Sequence, residues 1–280
     1  MSRRVICLAV AALTALAAAP AALADATESS NWAGYAIHRS GVHYKTATGT
    51  WVQPKATCSS GRATYSSAWV GIGGYSLSSQ ALEQIGTEAD CTAGGRAVAG
   101  AWYELVPAAS HTIRLTIAPG DRLRATVSVS GTEVTLSLAD LTRHRSFTKR
   151  LHATTLDTAS AEWILEAPSE CTSAASCHTL PLADFGSAGF SSASAVPTAG
   201  HRGTIADHRW TATKISLAAT GRQFISEPGA SLATAVPSAL SAGGSAFTVT
   251  YAGSATPTGP VQGTRMAGDR LARPALSPSS

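Results

Sequence analysis

The chain has 280 residues, 14% of them charged, and a formal net charge of +4. This length allows one large β-rich domain or two small ones, each with a sizeable core. No cluster of basic residues stands out in so sparsely charged a sequence, which argues against nucleic acid as a partner.

The first segment in chain order, residues 1–24, has the pattern of a signal peptide. Arg3 and Arg4 precede a long apolar run that ends in a small-residue cleavage site, Ala22-Leu23-Ala24. The apolar run is nearly long enough to span a bilayer, so an uncleaved anchor is the alternative. The pattern predicts a secreted, extracellular protein that starts near Asp25 and has no membrane contact after cleavage, by Sec or twin-arginine export.

Short β-type runs divided by Gly, Ser, Pro or Asn/Asp follow, between Asn31 and Tyr251. They cover 48–52, 66–72, 99–106, 112–117, 122–130, 132–138, 161–165, 214–218 and 247–251. Many such runs, with no helix longer than a single possible turn at 78–84, indicate an antiparallel sandwich or barrel. Because 253–280 offers little to bury, we expect one domain over 25–252 and a flexible tail.

Cysteine usage agrees with export. Cys7 leaves with the signal, and an even set suited to two disulfides remains: Cys58, Cys91, Cys171 and Cys177. Three pairings are possible, and the short loop between Cys171 and Cys177 favours a local bridge that leaves Cys58 with Cys91. A zinc site that includes His178 is the alternative, but no C-x-x-C occurs, and we expect no metal.

Signatures of the common hydrolases are missing from the sequence. It contains no H-E-x-x-H zinc motif and no complete G-x-S-x-G nucleophile turn. Zinc and serine mechanisms therefore lack support.

Two acids lie on one tryptophan-containing run, Ala161-Glu162-Trp163-Ile164-Leu165-Glu166. At a period of two, Glu162 and Glu166 fall on one face of a strand. Trp163 and Leu165 fall on the other face, and their bulk suits the core. The alternation does not distinguish a catalytic role for either acid from that of an ordinary solvated side chain.

A second strand repeats this arrangement, because Trp102 and Glu104 share a face opposite Tyr103 and Leu105. Gln84 lies in an earlier run, two residues before Gly86. Aromatic rings beside carboxylates and an amide would form a groove for an extended polymer. Sugar chains and peptides both fit such a groove.

Five motifs occur in a fixed order along the chain. They are Asn31-Trp32-Ala33-Gly34-Tyr35, Ala68-Trp69-Val70-Gly71-Ile72, Leu82-Glu83-Gln84-Ile85-Gly86, Ala101-Trp102-Tyr103-Glu104 and Ala161-Glu162-Trp163-Ile164-Leu165-Glu166. Together they resemble the motif series of the glutamic peptidases, or eqolisins, from about residue 31 to residue 190.

The resemblance implies an all-β fold, an antiparallel β-sandwich of two large sheets of the concanavalin A-like jelly-roll type. It also implies that Gln84 and Glu166 are the catalytic pair. Substrate-binding residues of the groove are then Trp69, Trp102, Glu104 and Trp32. Glu162 and Glu83 are expected to have structural or surface roles.

The mechanism implied by the resemblance uses a single carboxylate. Glu166 would take a proton from a water that attacks the scissile carbonyl, and Gln84 would donate a hydrogen bond to the oxyanion. No cofactor is needed, pepstatin should not inhibit, and the partners are protein or peptide substrates of a monomer.

Three positions depart from the fungal members of the family. Gly73 and Gly100 stand where fungal members can carry acids, and Pro168 stands where an aromatic follows the glutamate run. With fewer acids near Glu166, we expect activity at acid pH with a mildly acid optimum.

Two alternatives remain at this stage. The first is a carbohydrate-binding or glycan-cleaving sandwich, although Glu162 and Glu166, four residues apart on a strand, would be about 13 Å apart. A retaining glycosidase needs two carboxylates about 5 Å apart. The second is a non-catalytic surface protein that kept the fold.

Overall fold

A computed structural model of the protein describes residues 25–173, 176–221 and 233–254. The strands are Asp25–Ser29 (β1), Trp32–His38 (β2), Tyr44–Val52 (β3), Ser67–Gly73 (β4), Leu82–Cys91 (β5), Ala97–Val106 (β6), His111–Ile113 (β7), Arg122–Ser130 (β8), Glu133–Asp140 (β9), Arg145–His152 (β10), Ser160–Glu166 (β11), Ser169–Ser173 (β12), Ser176–Thr179 (β13), Ser187–Pro197 (β14), Gly203–Thr204 (β15), Thr211–Leu217 (β16), Ala233–Pro237 (β17) and Phe247–Ser254 (β18). Within these residues the helical content is one 3-10 turn, Ala242–Gly244.

The strands form two packed layers that share one hydrogen-bonded path. The front layer has the order β16-β2-β11-β4-β5-β6-β7, and the back layer has the order β10-β9-β8-β3-β14-β18. Strand β17 joins β18 to β16 along one side. Nearly all neighbours are antiparallel, whereas β1 runs parallel to β16. The predicted all-β, antiparallel sandwich is confirmed.

The main core lies between the layers and is filled by alternate side chains of both. Val70, Ile85 and Trp163 come from the front layer, and Trp51 and Leu123 come from the back layer. Buried indoles need a hydrogen-bond acceptor, and here each finds one across the layers. Trp163 Nε1 donates to Thr48 O (2.8 Å), and Trp51 Nε1 donates to Thr87 Oγ1 (3.0 Å). These contacts hold the layers in register.

Most predicted runs lie within observed strands, and β8 matches its prediction at both ends. The possible helical turn at 78–84 is wrong from Leu82 onward, because β5 begins there and pairs with both β4 and β6. The run at 112–117 is also too long, since β7 ends at Ile113. The predicted signal at 1–24 lies outside the described residues, as does all but the first two residues of the tail at 253–280.

In the part of the chain that the structure describes, no helix is long and apolar enough to cross a membrane.

Candidate active site

The candidate residues lie on the outer face of the front layer, the face turned away from the main core. A smaller apolar cluster covers this face, with Trp32, Trp69 and Ile164 at its centre. The rings of Trp32 and Trp69 meet edge to face, with centroids 5.0 Å apart. Trp102 packs against the same cluster. The predicted groove residues are therefore brought together.

Glu166 accepts three hydrogen bonds from side-chain N–H groups of neighbouring strands and of the turn before β2. Its Oε1 accepts from Asn31 Nδ2 at 3.0 Å and from Trp32 Nε1 at 3.1 Å. Its Oε2 accepts from Trp69 Nε1 at 2.7 Å. An ionised carboxylate is the best acceptor for such donors, because it offers lone pairs only. The side chains of β2 and β4 thus hold the Glu166 carboxylate in one orientation.

The Gln84 side chain is oriented by Glu104. Its Nε2 donates to Glu104 Oε2 at 2.7 Å, across the neighbouring strands β5 and β6. A primary amide has two N–H donors, so one donor remains beyond the bond to Glu104. Gln84 Oε1 is buried and accepts no hydrogen bond among the described residues. The amide is oriented but keeps hydrogen-bonding capacity for another group.

The strand register separates the roles of Glu162 and Glu166. Glu162 pairs with Gly71, which pairs with Gln84, so these three form one cross-strand row. Standard strand spacings put the Cα atoms of Glu162 and Gln84 about 10 Å apart, and those of Glu166 and Gln84 about 16 Å apart. Trp69 lies in the row between Glu166 and Gln84.

Glu162 is fully buried, and neither of its carboxyl oxygens has a hydrogen-bond partner of normal geometry. Burial raises its pKa well above the usual value, which the nearby Ser160 hydroxyl offsets only in part. Glu83 is also fully buried, on the core side of β5. Burial and the charge of Asp157 raise the pKa of Glu83 to about 9. Of the two expected roles, structural or surface, burial leaves the structural one for both residues, which behave as neutral acids inside the protein.

Gly73 is not left without an acid beside it, contrary to the expectation from its departure from the fungal pattern. Its backbone has φ +88°, and an added Cβ would lie 2.9 Å from Asp157 Cβ and overlap Asp157 O. The Asp157 carboxylate accepts from Ser79 Oγ (2.5 Å) and from the Gly74 N–H (3.2 Å). An acid from the segment before β11 therefore occupies the space next to Gly73.

At Gly100, too, an acid from another part of the chain lies beside the glycine. A side chain there would overlap Glu88 Oε1, from the neighbouring strand β5. Burial raises the pKa of Glu88. Sequence reasoning missed Asp157 and Glu88, as well as the donor role of Asn31. Nothing in the local pattern reveals which strands and segments face these glycines.

A disulfide joins Cys58 to Cys91, as one of the three possible pairings requires. It ties the segment between β3 and β4 to the end of β5. Backbone pairing places Cys171 opposite Cys177 in β12 and β13, but their side chains lie outside the described residues, so that bridge stays a prediction. Among the described residues no group of three His, Cys, Asp or Glu side chains could hold a metal ion.

Comparisons with known proteins agree on one family. Residues 30–227 match the family described as Peptidase A4. A crystal structure of scytalido-glutamic peptidase with a peptide-based transition-state analogue is 26% identical, with a TM-score of 0.62, over 79% of this chain and 98% of that chain. The aspergilloglutamic peptidase from Aspergillus niger is 27% identical, with a TM-score of 0.50, over 67% of this chain and 99% of that chain.

A third solved structure supports the fold alone. SCP-B, a member of the eqolisin family in complex with the tripeptide Ala-Ile-His, is 24% identical, with a TM-score of 0.60, over 79% of this chain and 98% of that chain. None of the curated proteins compared with the chain matches it.

Proposed function

Because the chain belongs to the peptidase A4 family, it is a peptide-bond hydrolase acting on proteins or peptides, and we propose that Glu166 and Gln84 form its catalytic dyad. The observation that carries the proposal is the set of three N–H donors on the Glu166 carboxylate. They favour the ionised form that a general base needs. Glu162 has no such donors and suits a neutral structural acid.

In the proposed reaction, Glu166 takes one proton from a water molecule whose oxygen attacks the scissile carbonyl carbon. The tetrahedral intermediate then collapses, the C–N bond breaks, and the proton held by Glu166 passes to the leaving amine. The carboxylate is thereby regenerated.

Gln84 stabilises the oxyanion in this proposal. The Nε2 proton not engaged by Glu104 is directed to the developing negative charge. A donor of this kind typically lowers the barrier by about 3–4 kcal/mol. Glu104 and Trp69 act as positioning residues, because each holds one member of the dyad by a hydrogen bond.

The proposal includes secretion, with a signal at 1–24, a peptidase domain at 25–252 and a flexible tail at 253–280. All the strands of the described residues lie between Asp25 and Ser254. The Cys58–Cys91 disulfide is typical of exported proteins.

A mildly acid optimum completes the proposal. Glu83 and Glu162 are buried acids whose raised pKa values keep them neutral in acid. Buried carboxyls with raised pKa values stabilise the folded protein more at acid pH than at neutral pH, as expected of an enzyme that works in acid.

One assay tests the dyad. Casein digestion from pH 2 to pH 8 is compared for the wild type, Glu166→Gln, Gln84→Ala and Glu162→Gln, with circular dichroism to confirm folding. We expect a loss of at least about a hundredfold in kcat/KM for the first two variants and a much smaller loss for Glu162→Gln. Activity should peak above pH 3 and resist both pepstatin and a chelator. An active Glu166→Gln protein, or an inactive but folded Glu162→Gln protein, would show that the base is assigned wrongly.

A further inference from the structure

The outer face of the front layer continues past the Gln84 row into a pocket of about 470 Å³. The pocket lies between the turn that joins β2 to β3, the loop after β4 and the segment 157–160. The pocket begins one cross-strand row beyond Gln84, on the same face of the front layer.

The next cross-strand row forms the floor of the pocket. His38 and Ser160 are paired there, and the backbone of Gly73 continues the row without a side chain. The His38 ring stacks on Tyr75, with centroids 4.6 Å apart and planes 20° from parallel. His38 Nε2 is also hydrogen-bonded to Thr213 Oγ1 at 3.0 Å. The imidazole is thus fixed on two sides.

Three basic side chains line the pocket, His38, Arg39 and His43. Arg39 reaches the neighbouring segment, where its Nη1 donates to Arg209 O at 2.9 Å. His43 Nδ1 is hydrogen-bonded to Thr158 Oγ1 at 3.0 Å. The Arg39 guanidinium is always charged, and it and the two imidazoles are the nitrogen groups that the pocket can present to a ligand.

Negative charge in and around the pocket is small or already engaged. Asp157 is the one acidic residue of the lining, and its carboxylate accepts from Ser79 Oγ and from the N–H groups of Gly74 and Ala159. Asp25 acts on His38 from β1 and only partly offsets the effect of burial, which lowers the pKa of His38. Glu162, beside Ser160, is neutral in acid. An anion in the pocket would therefore contact the Arg39 guanidinium and two imidazoles, while the one carboxylate of the lining already accepts three hydrogen bonds.

We propose that this pocket binds a carboxylate group of the peptide substrate, a proposal that rests on the peptidase function above. The group is either an Asp or Glu side chain or the C-terminal carboxylate of the peptide. The pocket row is about 7 Å beyond the Gln84 row, and β11 and β2 lie two and three strand spacings of about 4.8 Å from β5, so Ser160 and His38 are roughly 12 and 16 Å from Gln84. An extended peptide advances about 3.3 Å per residue, so the carboxylate belongs to a residue about three to five positions from the bond that is cleaved.

The test uses two sets of fluorogenic peptides at pH 5. In the first set, each position within five residues of the cleaved bond carries Glu or Gln in turn, and the C-terminus is amidated. In the second set, peptides that end three to five residues after the cleaved bond have a free or an amidated C-terminus. We expect kcat/KM to be about tenfold higher for the carboxylate at one position, since hydrogen bonds to charged groups are the stronger ones.

The Arg39→Gln/His43→Gln double variant should reduce that ratio to below about threefold, whereas the matched Arg150→Gln variant, on exposed β10, should keep it. The same peptides are also titrated against Glu166→Gln by fluorescence anisotropy, which measures binding without cleavage. Equal rates and equal Kd values for every pair of peptides would overturn the carboxylate pocket. Absence of cleavage of every peptide by the wild type, with the Kd preference present, would overturn the peptidase mechanism and leave the pocket standing.

Discussion

Replacing Glu83 by Gln should remove one defined part of the pH dependence of stability. Glu83 is fully buried on the core side of β5, and its two oxygens have no hydrogen-bond partner among the described residues. Its pKa is raised to about 9 from 4.5, chiefly by burial. In the unfolded chain the carboxyl ionises near pH 4.5, whereas in the folded protein it keeps its proton to about pH 9.

The sign of the effect follows from proton binding. Between pH 4.5 and pH 9 the folded protein holds a proton that the unfolded chain has lost, so stability falls as the pH rises. The stabilising contribution is complete below pH 4.5 and disappears at the folded pKa of about 9. The slope is about 1.4 kcal/mol per pH unit, so the loss between pH 4.5 and pH 7 is at most about 3 kcal/mol.

Urea unfolding at half-unit steps from pH 4.5 to pH 7 measures this contribution. The wild type should lose up to about 3 kcal/mol more across the range than Glu83→Gln. His38 contributes an opposite slope because its pKa is lowered, but it does so in both proteins and cancels in the difference. Glu28→Gln, at an exposed position of β1, is the matched control and should behave as the wild type. Parallel curves for the wild type and Glu83→Gln would refute the reasoning.

Three further predictions concern other parts of the molecule. Trp69→Phe keeps an aromatic ring but removes the 2.7 Å hydrogen bond to Glu166, and kcat/KM should fall about 10- to 100-fold while circular dichroism stays unchanged. Gly73→Ala should lower the free energy of unfolding by about 2–4 kcal/mol, because φ is +88° and the new methyl group overlaps Asp157 O; an unchanged denaturation midpoint would contradict this. Replacing both cysteines of Cys58–Cys91, which are 33 residues apart, by serine should cost about 3–4 kcal/mol in urea unfolding, and a loss below about 1 kcal/mol would refute that estimate.

The sequence predicts those strands that bury one face and expose the other. β8 alternates buried and more exposed residues along most of its length, and its bounds are predicted correctly. β5 is buried on both faces over its first six residues, so it shows no alternation, and the sequence predicts a helical turn at 78–84 instead. β14 was not predicted either, because its Ser and Ala residues resemble a loop.

The sequence predicts which residues belong to the site but not how they are arranged in space. The motifs identify Gln84, Glu162 and Glu166, whereas their relative positions depend on β11 lying beside β4, a strand far away in the sequence. The same long-range pairing brings Asp157 next to Gly73. Such proximity arises from the order of strands in the sheet, which no local pattern encodes.

The two ends of the hydrogen-bonded path have a consequence for self-association. Unpaired strand edges are templates on which other chains can add strands. β7 ends the front layer after three residues, and β10 ends the back layer with the exposed cations Arg145, Lys149 and Arg150. A short edge offers few hydrogen bonds to a second chain, and a row of like charges repels a second copy of itself. The fold thereby protects itself against growth into amyloid-like fibres, a protection that weakens as salt concentration rises.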